Sequence, residues 1–143
     1  MELKLAEAAD LPAVAELEKT FVFPLSEEEL HKLLKNETFR IIVWKDGDEI
    51  LGHCVLFRVM DEAEITSVSV RNDLRGKGIG TEFLLQLLEY LRRDGAKIAY
   101  LDVRESNEAA RKLYAKCGFS EIGRRKRFYQ KPVEDAIGMG IEL

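Results

Sequence analysis

A strand, a glycine-rich turn and a long helix follow one another in the middle of the chain. Residues Glu64 to Val70 are rich in Ile, Thr and Val, a composition typical of a β-strand. After the turn Arg75-Gly76-Lys77-Gly78-Ile79-Gly80, apolar residues recur at helical spacing: Ile79, Phe83, Leu84, Leu87, Leu88 and Leu91. Asp94-Gly95 ends that helix, and Lys97 to Val103 predicts another short strand. Two strands joined by a helix predict a βαβ crossover, whose helix packs on a sheet.

Two helices are predicted near the start of the chain. Asp10 is placed to cap the first, which runs through roughly Lys19 and stops at the break Phe21-Val22-Phe23-Pro24. Its apolar stripe is formed by Leu11, by Val14 or Ala15, and by Leu17 or Glu18. Ser26 and Glu29 have the spacing of a capping box, which predicts the start of the second helix.

The remaining segments complete a mixed sheet covered by helices. They are a short strand at Leu3 to Leu5, strands Phe39 to Lys45 and Ile50 to Arg58 joined by the hairpin signal Asp46-Gly47-Asp48, a helix Asn107 to Lys116, and closing strands Ile122 to Tyr129 and Ala136 to Leu143. The predicted order is β-α-α-β-β-β-α-β-α-β-β. We therefore predict one domain over residues 1–143 with an α/β (mixed α+β) fold.

The composition excludes several classes of protein. Hydrophobic residues make up 46% of the 143 residues and charged residues 34%, as in an ordinary globular domain. The net charge of −4 gives no overall basic field for nucleic acid or a membrane surface. Two cysteines cannot build a disulfide framework, and no Cys/His cluster has zinc-site spacing, so we expect no metal. The sequence contains neither an apolar signal-peptide core nor a run of about 18 apolar residues, so we expect a cytoplasmic protein.

The glycine-rich turn has the properties of an anion-binding site. Backbone N–H groups in the first turn of a helix have no partner within the helix, and the helix dipole favours negative charge there. Gly76, Gly78 and Gly80 let the chain curl and let phosphate oxygens approach, while Arg75 and Lys77 add positive charge. The spacing is neither that of a P-loop nor G-x-G-x-x-G. A plain flexible turn is the alternative, but the interleaved Arg and Lys favour an anion site.

This turn and four other stretches resemble the GNAT acetyltransferases. Arg75-x-x-Gly78-x-Gly80 after a strand is similar to the motif whose backbone amides hold the pyrophosphate of coenzyme A in that family. The resemblance covers nearly the whole chain and is closer still to the RimI-type ribosomal-protein-alanine N-terminal acetyltransferases. The stretches are Asp61-Glu62-Ala63, Leu101-Asp102-Val103-Arg104-x-Ser106-Asn107, Leu113-Tyr114-x-x-x-Gly118-Phe119, and Tyr129 followed by Glu134-Asp135-Ala136.

The resemblance implies a fold and a cosubstrate. The GNAT fold is a central, twisted, mostly antiparallel sheet of about seven strands flanked by about four helices. Acetyl-CoA is the implied cosubstrate. The implied residues of its phosphate site are Arg75, Gly76, Lys77, Gly78, Ile79 and Gly80.

Acetyl transfer from a thioester to an amine needs a base that takes a proton from the amine. Asp102 is our candidate, because it lies on a strand between apolar Leu101 and Val103 and its carboxylate points to the opposite face. The RimI-type pattern has Glu at this position. Since the side chain of Asp is one methylene shorter, a bridging water is one way for it to reach the amine. Glu64 is the rival base and a candidate for substrate binding. An ion pair with a neighbour such as Arg104 is the alternative role for Asp102.

The leaving thiolate and the developing oxyanion need hydrogen-bond donors. The resemblance implies that Tyr114 meets the coenzyme A sulfur, where a neutral phenol can donate; a tyrosine packed in the core is the alternative. Asn107 is expected to cap its helix and, by the resemblance, to contact the cofactor. The resemblance also implies that two strands splay apart at Val68-Ser69-Val70, which frees a backbone N–H for the acetyl carbonyl and for the pantetheine.

The acceptor side is less defined by the residues. By the resemblance, the closing hairpin and the loop from Phe21 to Pro24 line a slot for a peptide N-terminus, which Tyr129 contacts. Leu25 stands where the RimI-type pattern often has Trp, and the hairpin loop is shorter here. The basic run Arg124-Arg125-Lys126-Arg127 is a solvated charge run or attracts RNA or a ribosomal surface. Both histidines and Cys117 lack recognisable partners in the sequence and are assigned no role.

Three functions are consistent with these observations. The leading one is acetylation of a protein N-terminus, with a ribosomal protein as acceptor and with no membrane or nucleic acid required. The second is a GNAT enzyme for a small amine or a lysine side chain. The third is an acyl-CoA-binding module without turnover, which the Asp at position 102 keeps open.

Overall fold

A computed structural model describes residues 1–21 and 23–143, so Val22 in the predicted break after the first helix lies outside the described residues. The strands are β1 Glu2–Leu5, β2 Phe39–Asp46, β3 Glu49–Val59, β4 Glu62–Val70, β5 Ile98–Arg104, β6 Ser120–Tyr129 and β7 Glu134–Glu142. The α-helices are α1 Leu11–Glu18, α2 Glu27–Leu34, α3 Ile79–Arg93 and α4 Glu108–Lys116. The predicted order of elements is confirmed.

The strands form one seven-stranded sheet in the order β1-β2-β3-β4-β5-β7-β6. β4 and β5 are parallel neighbours joined through α3, which confirms the predicted crossover. The other neighbouring pairs are antiparallel. The predicted mixed, mostly antiparallel sheet is therefore correct.

Helices cover both faces of the sheet. The larger core lies under α3, whose buried Leu84, Leu87 and Leu88 belong to one cluster with apolar residues of β2 to β5 and β7. Trp44 of β2 stacks on Phe83 in this core with ring centroids 5.2 Å apart. A smaller core lies on the opposite face under α1 and α2; its buried members are Ala6, Leu11, Val14, Leu30, Ile41, Val43 and Val55.

The start of α1 differs from the prediction. Asp10 makes no capping hydrogen bond to α1. Its carboxylate instead accepts from the Glu7 amide at 2.9 Å and from Lys45 of β2 at 3.0 Å. A full positive charge from a neighbouring strand competes with the helix amides for this carboxylate, and that cation lies 35 positions away in the chain.

The two other predicted helix starts behave as expected. The Ser26 hydroxyl accepts from the Glu29 amide and the Glu29 carboxylate accepts from the Ser26 amide, both at 3.1 Å, so the capping box is present. Asn107 caps α4, because its Oδ1 accepts from the Ala110 amide at 3.1 Å.

Candidate active site

The glycine-rich turn leads directly into α3. Gly76 and Gly78 have φ of 79° and 76°, and a Cβ on either would meet no atom within 4 Å, so the turn is open to a ligand. Gly80 was predicted to belong to the turn, but it lies inside α3 and does not help the chain to curl. In the described part of the chain no side chain caps α3, so its first amides are available to an anion. The side chains of Arg75 and Lys77 are exposed beside them.

A gap opens between the parallel strands β4 and β5, as predicted. The strands pair only from Glu62 with Ile98 to Ile65 with Leu101. The cause is a bulge in β4, because Thr66 is an extra residue between Ile65, opposite Leu56, and Ser67, opposite Val55. Beyond the bulge, β4 stays paired with β3 and leaves β5.

The backbone of β4 presents two amides to this gap. The Arg71 amide donates to the Leu51 carbonyl of β3 at 2.9 Å, and Ser69 lies opposite His53. Since hydrogen-bonding direction alternates along a strand, residues 69 and 71 face β3. The N–H groups of Val68 and Val70 therefore face the gap. A cleft of about 350 Å³ runs from this end of β4 to the turn, lined in part by Leu17, Ile50, Ser69, Val70, Arg71 and Arg75.

Both candidate bases lie on the same face of the sheet. Glu64 of β4 is in register with Tyr100 of β5, and Asp102 is two residues further along β5 on the same face. Leu101 and Val103 are buried on the other face, as predicted. The side chain of Asp102 is 20% exposed, and its Oδ2 lies 3.6 Å from Nε of Arg125.

The predicted alternative, an ion pair between Asp102 and a basic neighbour, is observed with Arg125 and not with Arg104. Arg104 binds Glu134 of β7 at 3.1 Å, and its guanidinium lies 4.5 Å from the centre of the Tyr129 ring. Tyr129 ends β6 and is half-buried. Burial, with a further contribution from the negative charge of Asp102, raises the pKa of Tyr129.

Tyr114 of α4 is buried in the main core, with its ring 5.7 Å from that of Phe119. The predicted core-packed state is thus observed, and it is compatible with a role for the hydroxyl. Burial, with smaller contributions from Cys54 and Tyr129, raises the pKa of Tyr114 above that of an ordinary phenol. The hydroxyl therefore keeps its proton and stays a donor at neutral pH.

The basic run Arg124 to Arg127 lies along β6, within the predicted strand. Arg124 binds Glu105 and Asp135, each at 2.8 Å. Together with the contact between Arg125 and Asp102, these pairs neutralise part of the run. This weakens the prediction that the run attracts RNA, since its charges have partners within the protein.

A buried polar cluster on the α1 side of β4 was not predicted from the sequence. It consists of Glu18, His53, Ser67 and Ser69, of which His53 was assigned no role. One signal could have revealed it, because Glu18 occupies the helical spacing of the buried Leu11 and Val14. A carboxylate in an apolar stripe requires a buried partner.

No group of His, Cys, Asp and Glu side chains suited to a metal ion occurs among the residues the structure describes. None of the helices described here has the length and apolarity to cross a membrane.

A family model described as "Acetyltransferase (GNAT) family" matches residues 11–119. This range runs from the start of α1 to Phe119, three residues after α4. It contains the turn, the gap, both carboxylates and Tyr114. The chain belongs to the GNAT acetyltransferase family. GNAT enzymes use acetyl-CoA, and the open turn with its free helix amides is suited to hold the phosphates of that cosubstrate.

Individual acetyltransferases are similar to this GNAT protein over almost all of its length. It is 33% identical over 141 residues to the [ribosomal protein bS18]-alanine N-acetyltransferase of Haemophilus influenzae, covering 96% of this chain and 95% of that protein. The crystal structure of the ribosomal-protein-S18-alanine N-acetyltransferase from Escherichia coli has a TM-score of 0.87 and 29% identity, covering 99% of this chain and 92% of that one.

A third structure shares the fold of this acetyltransferase. Spermidine N-acetyltransferase from Vibrio cholerae in complex with CoA and spermine has a TM-score of 0.84 and 24% identity, covering 99% of this chain and 94% of that one. At this identity the likeness concerns the fold alone.

Proposed function

We propose that this GNAT acetyltransferase transfers an acetyl group from acetyl-CoA to the N-terminal α-amino group of a protein, with a ribosomal protein as the first candidate acceptor. The observation that carries the proposal is the β4–β5 gap, which the amides of Val68 and Val70 face and beside which Asp102 lies on β5. Two residues further along β5, the Arg104 guanidinium lies 4.5 Å from the centre of the Tyr129 ring, so this half-buried ring lies near the same end of the strand. Tyr114 of α4 is buried in the core on the other face of the sheet.

The donor is held at the turn and along β4. The pyrophosphate binds the first amides of α3, with Arg75 and Lys77 as counter-charges. Gly76 and Gly78 keep this approach free of side chains. Asn107 caps α4 through Oδ1, which leaves its Nδ2 as a donor for the cofactor. The amides of Val68 and Val70 hydrogen-bond the pantetheine and the acetyl carbonyl.

Transfer proceeds by direct attack of the amine in a ternary complex of enzyme, donor and acceptor. Asp102 takes a proton from the α-ammonium group directly or through a water molecule, and Glu64 is the rival for this role. The neutral amine forms a bond to the acetyl carbon, and a β4 amide stabilises the charge that develops on the carbonyl oxygen. The carbon–sulfur bond then breaks, and Tyr114 donates a hydrogen bond or its proton to the departing thiolate. The nitrogen loses its second proton as the amide forms, and this proton restores the phenol, or protonates the thiolate where Tyr114 has only donated a hydrogen bond.

The choice of an α-amino acceptor follows from its chemistry and from the relatives. An α-amino group has a pKa near ~8, against ~10.4 for lysine, so a carboxylate needs less assistance to deprotonate it. Two similar proteins are named for acetylating the alanine N-terminus of a ribosomal protein. Tyr129 and the adjacent hairpin form the wall against which the acceptor peptide lies. We place the reaction in the cytoplasm, where ribosomal proteins are made.

The proposal is tested with acetyl-CoA and a library of peptides that differ in the first residue and carry one internal lysine. Mass spectrometry of fragments locates the acetyl group. We expect it on the α-amine, with a preference among first residues. Acetylation confined to the lysine, or found only on added small amines, contradicts the proposal. Binding of acetyl-CoA without any transfer identifies a non-catalytic binding module instead.

A further inference from the structure

A chain of buried hydrogen bonds crosses from α1 to β4 through one imidazole. Nε2 of His53 lies 2.5 Å from a carboxylate oxygen of Glu18, and Nδ1 lies 2.8 Å from the hydroxyl of Ser69. The Ser67 hydroxyl donates to the same Glu18 oxygen at 2.6 Å. His53 is 0% and Glu18 1% exposed, so solvent does not weaken these bonds. None of these side chains is used in the transfer described above.

The direction of the hydrogen bonds follows from the carboxylate. Burial alone would raise the pKa of Glu18, but hydrogen bonds from His53, Ser67 and the Leu25 amide outweigh it and hold the pKa below its usual range. The ionised carboxylate only accepts, so Nε2 of His53 carries a proton and donates it. The other ring nitrogen, Nδ1, shares its hydrogen bond with the Ser69 hydroxyl at 2.8 Å.

The two ends of this hydrogen-bonded cluster lie at the acceptor side and at the donor side of the proposed active site. At one end, the second oxygen of Glu18 accepts from the Leu25 amide at 3.1 Å, and the ring edge of Phe21 lies against His53 with centroids 6.1 Å apart. These two residues flank the loop after α1, on the acceptor side. At the other end, Ser69 lies between Val68 and Val70, whose amides face the gap.

We propose that His53 is a positioning residue that fixes Ser69, and with it the two flanking β4 amides, relative to the loop after α1. Beyond the bulge, β4 has lost β5 as a neighbour, so its orientation depends on β3 and on what holds its side chains. The His53 ring, on β3, is the point at which α1 and the Ser69 side chain of β4 are joined. The inference rests on the proposed function, because it assigns the β4 amides to the acetyl carbonyl.

Stability alone is a poor explanation for this cluster. Replacing a buried charged or polar pair with apolar residues of similar size is often neutral or stabilising. A layer that already contains Leu11, Val14 and Val55 could be completed with apolar side chains. Directional bonds add what apolar packing does not, namely a single allowed orientation of the groups that they join.

The test compares Ser69→Ala with Ser67→Ala. The two serines are on the same strand and similarly buried, at 8% and 7% exposed, but only Ser69 binds Nδ1 of His53 and lies between the two amides. We expect Ser69→Ala to lower kcat about five- to tenfold, as the loss of one hydrogen bond predicts, with KM for acetyl-CoA within about twofold of the wild type. Ser67→Ala should lower the melting temperature with a smaller effect on kcat. His53→Phe should resemble Ser69→Ala in kcat.

A second readout does not depend on the acceptor. The ¹³C signal of bound [1-¹³C]acetyl-CoA reports hydrogen bonding to the carbonyl, and Ser69→Ala should shift it towards the position of the free compound while Ser67→Ala does not. Equal effects of the two variants on kcat and on this signal would overturn the positioning role. If the wild type acetylates no peptide N-terminus, the proposed function fails, and the carbonyl signal still decides this inference. If His53→Phe does not fold, the serine pair is sufficient.

Discussion

Asp102 reaches Arg125 across Gly138. Gly138 of β7 is the register partner of Asp102 of β5 on one side and of Gly123 of β6 on the other. A Cβ on Gly138 would lie 3.5 Å from Oδ1 of Asp102, an ordinary van der Waals distance, so the carboxylate lies directly over this glycine. The Arg125 side chain is 61% exposed, and such a pair is weak in water. We therefore expect a cationic amine to displace Arg125 from this carboxylate.

Replacing Asp102 distinguishes the two candidate bases. We expect Asp102→Asn to lower kcat/KM for an acceptor peptide about 100-fold or more, because a general base typically contributes that much. Glu64→Gln should have a smaller effect, mainly on KM for the peptide. Asp102→Glu should retain activity, since it restores the longer carboxylate of the RimI-type pattern. Initial rates across pH measure all three, and a larger loss in Glu64→Gln would assign the base to Glu64.

Removing the hydroxyl of Tyr114 should affect the chemistry and not the binding of the donor. We expect Tyr114→Phe to lower kcat about tenfold or more while the Kd for acetyl-CoA, measured by calorimetry, changes less than about twofold. Because burial raises the pKa of Tyr114, the wild type should keep this donor at pH values where an ordinary phenol ionises. A parallel loss of affinity and rate in Tyr114→Phe would point to a packing role only.

Gly78 is predicted to be essential for donor affinity. Gly78→Ala forces a Cβ into a left-handed conformation, at a cost of about 1–2 kcal/mol, and places it where phosphate oxygens approach. We expect the Kd for acetyl-CoA to rise about tenfold. The matched control is Gly47→Ala in the β2–β3 hairpin, which has φ of +62° and equally open surroundings. It should lose similar stability, measured by urea denaturation, and bind acetyl-CoA normally. Equal affinities of the two variants would contradict the phosphate site at the turn.

Glu18 should make the free energy of unfolding depend on pH. Since its pKa is lower in the folded than in the unfolded state, the unfolded chain binds more protons at low pH. This contribution is fully present above the unfolded pKa of about 4.3 and is lost as the pH falls through the folded pKa. Glu18→Gln should therefore be less stable at pH 7 by about 1–3 kcal/mol and show a shallower loss between pH 5 and 3 in urea titrations. Parallel pH profiles for both proteins would show that Glu18 does not titrate in this way.

The prediction of elements succeeded where the controlling interactions are local. The capping box of Ser26 and Glu29 spans three residues, and the apolar stripe of α3 repeats within one helix. It failed at Asp10 because Lys45, the competing partner, comes from a strand that is far away in sequence. Gly80 was misjudged because a glycine in a glycine-rich turn and a glycine in the next helical turn have the same appearance in the sequence.

For the same reason, the sequence indicated some residues of the candidate site and not others. Asp102, Tyr114 and Asn107 lie in short motifs that can be compared with a family. His53 has no such motif, because its partners Ser69 and Glu18 are 16 and 35 positions away and become neighbours only when β3, β4 and α1 assemble. The bulge at Thr66 could not be predicted from the sequence either, since a bulge is defined by the pairing with the opposite strand.

The order of strands and helices, the glycine-rich turn before α3 and the resemblance to a family could be predicted from the sequence, because these depend on residues close together in the chain. The three-dimensional structure was needed to find that Asp102 faces Arg125, that β4 leaves β5 at Ile65, and that Glu18, His53 and Ser69 form one buried network. These arrangements depend on register and on which charges meet in a low-dielectric interior, where an unpaired buried polar group is too costly to persist.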